Sequence, residues 1–67
     1  MEKIVRHMQL IGEDDWGRPV YRAQENGILW KDINCGKGKL NLNSCNNDFY
    51  GEPDCPISQN IEVIIIK

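Results

Sequence analysis

Apolar and polar positions alternate imperfectly with a period of two over residues 3–11, placing Ile4, Met8 and Leu10 on one face and Val5, His7, Gln9 and Ile11 on the other. This pattern predicts a long first strand. Gly12-Glu13-Asp14-Asp15-Trp16-Gly17-Arg18-Pro19 then combines glycines, acids and a proline, which is loop chemistry. Two short β-prone runs follow, residues 19–23 and 28–33, joined by Gln24-Glu25-Asn26-Gly27, where Gly27 supplies the positive φ of a hairpin turn. A two-residue Asn26-Gly27 turn would set Arg22 opposite Lys31, a destabilising like-charge pair, so a three- or four-residue loop with Gly27 left-handed is expected.

Between Asn34 and Asn60 only Lys39-Leu40-Asn41-Leu42-Asn43 alternates cleanly, which predicts one short strand inside long loops, with room for a single helical turn over Pro56–Gln59. The tail Ile61-Glu62-Val63-Ile64-Ile65-Ile66-Lys67 is almost wholly β-branched and is expected to be a buried strand paired with the first. No segment keeps helical periodicity over three turns. The expectation is an all-β domain: a five-stranded meander that curls into a partly closed barrel or a two-layer sheet. Its core should contain Ile4, Met8, Leu10, Val20, Leu29, Val63 and Ile65. Because Ile64 and Ile66 make the last strand apolar on both faces, the loop of residues 43–56 is expected to cover the second face in preference to a second copy of the chain. A monomer is therefore favoured over a homodimer.

Length admits one domain, residues 1–67, since a chain of this size buries only roughly 60% of its unfolded surface. The longest apolar run, Val63–Ile66, is far short of the roughly 20 residues of a spanning helix, and Met1-Glu2-Lys3 leads into no signal-peptide core. A cytoplasmic protein is expected. The net charge of −2 offers no general attraction to phosphate backbones, which disfavours nucleic-acid binding.

The chemistry-bearing residues are few. Cys35, Cys45 and Cys55 are an odd set, unlike a secreted disulfide scaffold, and are read as reduced, mostly buried thiols. With His7 they could form a Cys3His zinc set, the alternative reading of a small metal-stabilised domain, but no C-x2-4-C knuckle is present. No cofactor is expected. Cys35-Gly36-Lys37-Gly38-Lys39 lacks phosphate-loop spacing, and Lys31, Lys37 and Lys39 are read as a small solvated basic spot. A calcium loop with Gly51 at its sixth position would put Ile57 where a bidentate glutamate is required. His7 has no nucleophile beside it, and Asp14, Asp15, Asp48, Glu52 and Asp54 would need a substrate cleft that so short a chain hardly provides. The chain is therefore read as not an enzyme. Of the aromatics, two are expected in the core, whereas Trp16, Phe49 and Tyr50 lie in loops and form a candidate binding patch.

Asp15-Trp16-Gly17-Arg18-Pro19-Val20-Tyr21, Glu25-Asn26-Gly27 with Leu29, Lys31-Asp32-Ile33-Asn34, Phe49-Tyr50-Gly51-Glu52-Pro53-Asp54 and Pro56-Ile57 carry a resemblance. Together they resemble a family of small uncharacterised domains of gut-dwelling anaerobic bacteria, often carried on conjugative or phage-like mobile elements. The resemblance spans residues 15–57, implies an accessory protein of a mobile element, and assigns no activity to any residue. The three cysteines are not part of its pattern, which weighs further against zinc. The function expected from the sequence is a non-enzymatic module that binds a protein partner.

Overall fold

The computed structural model describes residues 3–66; Met1, Glu2 and Lys67, on which parts of the leader and tail readings fall, lie outside it. Five strands form one curled sheet, and no helix occurs among the described residues. They are β1 (Ile4–Glu13), β2 (Pro19–Ala23), β3 (Leu29–Asp32), β4 (Leu42–Ser44) and β5 (Ile61–Ile66), in the spatial order β4-β3-β2-β1-β5. The first four are an antiparallel meander. The fifth departs from that pattern, because the chain from β4 crosses over and returns to lie parallel to β1, with Ile4 opposite Ile61 and Gln9 opposite Ile66. The predicted pairing of tail and first strand is thus present, and its direction is parallel.

The hairpin between β2 and β3 takes the long form that charge repulsion demands. Gly27 has a φ of 72°, Gly27 N–H donates to Ala23 O, and Arg22 pairs with Leu29 and not with Lys31. The predicted fourth strand is shifted to Leu42–Ser44. Asp32, buried at the end of β3, explains the shift: its carboxylate accepts the backbone N–H groups of Asn34, Gly36 and Asn41, which holds residues 33–41 as a closed loop and takes Asn41 out of a ladder. No helical turn forms over residues 56–59. Pro56 instead bridges Asn43, and Ser44 and Leu42 exchange backbone bonds with residues 54–57, so this segment covers the free edge of β4.

Strand alternation sorts the buried side chains onto two faces. Met8, Ala23 and Leu42 form the core of one face, with Tyr21, Trp30, Val63, Leu40 and Ile57 packed against them. On the other face the register aligns Val20, Lys31 and Asn43, all buried. The predicted core is therefore only partly right. Met8 and Val20 are buried and Leu29 and Val63 are half-buried, but Ile4, Leu10 and Ile65 are 40%, 53% and 42% exposed. The reason is position in the sheet. Ile65 lies on the outer strand β5, Ile4 starts the strand beside it, and Leu10 extends past Gln9, where β5 ends. Ile64 is also exposed, so residues 43–56 do not cover β5 as expected; they fold over the Val20-Lys31-Asn43 rank, on the same face as Ile64 but away from β5.

Candidate functional site

The β1–β2 connection is closed by Asp14. Its Oδ1 accepts the backbone N–H groups of Trp16 at 2.9 Å and Arg18 at 3.0 Å, and its Oδ2 receives Arg18 Nε and Lys31 Nζ, each at 2.8 Å. An aspartate bonded to N–H groups two and four residues ahead fixes a tight turn, which is the local reason the chain reverses here. Lys31 reaches this turn from the middle of β3. It is fully buried, and its ammonium also donates to Gly51 O at 2.5 Å. This corrects two readings: Lys31 does not belong to a solvated basic spot with Lys37 and Lys39, and Asp14 is a buried structural carboxylate and not a free loop acid. Burial acts to raise the Asp14 pKa. The Lys31 ammonium, then Arg18 and the Trp16 N–H, outweigh it and hold the carboxyl far below the usual carboxylate range.

One ammonium therefore ties together two loops that are far apart in sequence. Each link from Trp16 N through Asp14 and Lys31 to Gly51 O is either a hydrogen bond of 2.5–2.9 Å or one carboxylate wide. The second loop is tight as well. A Cβ on Gly51 would stand 2.7 Å from Cys45 O and 2.9 Å from the Asp48 Cβ, so only glycine fits there. Phe49 is half-buried against the bulge in β1 at Gly12, where a Cβ would meet its ring at 3.0 Å. Tyr50 stacks edge-on to Phe49 with ring centroids 4.9 Å apart.

The three aromatic residues singled out from the sequence are thereby placed on neighbouring loops at one side of the sheet. Trp16 is 73% exposed and Tyr50 65%, with the Arg18 guanidinium 5.6 Å from the Trp16 ring centroid, whereas Phe49 supports Tyr50 from below. Of the remaining aromatics, Tyr21 and Trp30 are half-buried and pack against the core. On the loop that carries Tyr50 a hollow of about 310 Å³ opens, its wall including Asp48, Gly51, Glu52 and Asp54. The sequence reading missed this hollow and its anchor Lys31. The signal for the anchor was weak: a lysine following Leu29-Trp30 in a short strand, seventeen residues after an aspartate.

The cysteine and histidine set is not brought together. Cys45 is buried, with burial pushing its thiol pKa up, while Cys35 and Cys55 are exposed, which corrects the expectation of mostly buried thiols. Among the described residues no group of three or more His, Cys, Asp or Glu side chains is placed to hold a metal ion. His7 faces the hairpin loop: its Nδ1 lies 2.5 Å from Glu25 Oε2 and its backbone N–H donates to Glu25 Oε1 at 2.9 Å. The His7 side chain, followed by its backbone N–H, lowers the Glu25 pKa to about 2 from 4.5. A depressed carboxylate contributes stability that is present above its unfolded pKa and lost as pH falls through the folded one. The stability advantage of the wild type over Glu25→Gln is thus expected to vanish between about pH 4.5 and about pH 2 in chemical unfolding measured against pH. A constant difference across that window overturns the assignment.

No helix among the described residues is long and apolar enough to cross a membrane. No family model, curated protein or solved structure matches the chain.

Proposed function

We propose that this chain is a non-enzymatic protein-binding module whose contact surface is formed by Trp16 and by Tyr50 with its neighbour Phe49. The observation that carries the reading is the Lys31 clamp. It uses a buried ammonium to fix the two loops bearing exposed aromatics, and nothing in the packing of the sheet itself requires those rings to face solvent. Large aromatics held at little entropic cost are what hot spots use, because the rings bury much area and have few rotamers to freeze. The resemblance of residues 15–57 to small domains of mobile elements supports an accessory role of this kind, acting in the cytoplasm on a protein.

Truncation of exposed side chains leaves the fold intact to within about 0.5 kcal/mol. Trp16→Ala with Tyr50→Ala is therefore expected to keep its melting temperature while binding to the partner weakens by about 30-fold or more, the loss of one hot-spot residue or more. The measurement is affinity capture from a host lysate on immobilised wild type and variant, followed by titration of the captured protein. A partner retained equally by both, or none enriched by the wild type, refutes the reading.

A further inference from the structure

The charges on the loops that carry the aromatics are one-sided. Residues 13–18 and 45–55 hold one cation, Arg18, which like the incoming Lys31 is bonded to Asp14, and Lys31 is sealed from solvent. Among the described residues Glu13, Asp15, Asp48, Glu52 and Asp54 are exposed and make no ion pair. Three of these residues, Asp48, Glu52 and Asp54, line the hollow on the loop of Tyr50. At about 310 Å³ it is at the lower limit of small-ligand pockets and ample for the head of one side chain. An apolar partner would leave the carboxylates facing it without compensation, and an acidic one would be repelled.

We propose that the partner of this surface is basic: a protein segment that seats an arginine or lysine head in the hollow between Asp48, Glu52 and Asp54 and lays its neighbours against Tyr50 and Trp16. The inference rests on the protein-binding reading and names the chemistry of its partner. The acidic side chains supply the counter-charge, and the exposed ring of Tyr50, next in sequence to Gly51 of the wall, gives the flanking residues of the segment an apolar surface to pack on. Because the acids stand at a solvated rim, they contribute chiefly to encounter and selectivity, so the contact must weaken with salt.

The test titrates a fluorescent arginine-rich peptide and its glutamate counterpart of equal length against the full chain. The arginine peptide is expected to bind and the glutamate peptide not. Affinity for the former should fall roughly tenfold in D48N/E52Q/D54N, and by a similar factor in the wild type between low salt and about 0.5 M, where the Debye length drops below 5 Å. Asparagine at position 48 keeps the oxygen that accepts the Tyr50 N–H, so the loop retains its turn. Salt dependence needs no substitution and stands even if the triple variant unfolds. Failure of the arginine peptide to bind, equal binding of both, or undiminished binding by a folded triple variant overturns the proposal. A captured protein that is lost with W16A/Y50A yet kept by D48N/E52Q/D54N would leave the aromatic surface standing and remove only its basic partner.

Discussion

Lys31→Met is expected to bring this domain to the edge of unfolding. The substitution keeps most of the side-chain volume in β3 but removes the ammonium that satisfies Asp14 Oδ2 and Gly51 O. Breaking a buried ion pair from one side costs about 3–5 kcal/mol, because a carboxylate is left in the interior with less counter-charge. A chain of this length has in total about 3–10 kcal/mol to lose. Since each kcal/mol shifts the midpoint of a small domain by roughly 4–8 °C, the melting temperature should fall by tens of degrees. The exposed Lys39→Met should stay within about 0.5 kcal/mol of the wild type. A double variant, K31M/D14N, separates the cause: asparagine retains an oxygen for the Trp16 and Arg18 N–H groups but carries no charge. It should be less destabilised than the two single losses summed, because no orphaned charge remains. Denaturant unfolding of the wild type, K31M, D14N, K31M/D14N and K39M decides the matter. A loss below about 1 kcal/mol in K31M would mean that the ammonium pays for no more than its own desolvation.

The same residue marks the boundary of what the sequence makes legible. Alternation located β1, β2, β3 and β5 to within a residue or two, and the conflict between Arg22 and Lys31 correctly set the length of the hairpin loop. Alternation assigns a residue to a face, however, and not to the centre or margin of a sheet. That is why Met8 is buried while Leu10, two residues along the same face, lies open beyond the end of β5. Polar residues that are buried in pairs escape pattern reading altogether. Lys31 and Asp14 each look solvated alone, and Asp32 looks like the polar end of a strand, although it gathers three N–H groups and displaces the next strand. For the candidate surface, loop placement singled out Trp16, Phe49 and Tyr50. The acidic hollow depends on a turn closed by Gly51 against Cys45 O, a contact with no periodic signature.

Truncating the chain after Asn60 is expected to abolish folding. β5 contributes six residue pairs to β1, and Ile4 N–H, the first of that strand, also bonds to Asn60 O. Its inward residue Val63 packs against the Met8-Ala23-Leu42 core, and burying such a side chain is worth about 1.5–3 kcal/mol. Each ladder hydrogen bond adds about 0.5–1.5 kcal/mol, so the strand as a whole matches the entire stability available. Without it β1 becomes an open edge presenting Ile4, Val5 and Met8, a template for association between chains. The truncated protein should show a random-coil far-ultraviolet spectrum or aggregate, and no cooperative melt. Single substitutions then test the geometry. Val63→Ala should cost about 1–3 kcal/mol, whereas Ile65→Ala, on the same face but 42% exposed, should cost about 1 kcal/mol or less. Equal losses at the two positions would mean that β5 is covered on that face, and a cooperative melt in the truncated chain would mean that β1 holds its place in the sheet without its parallel partner.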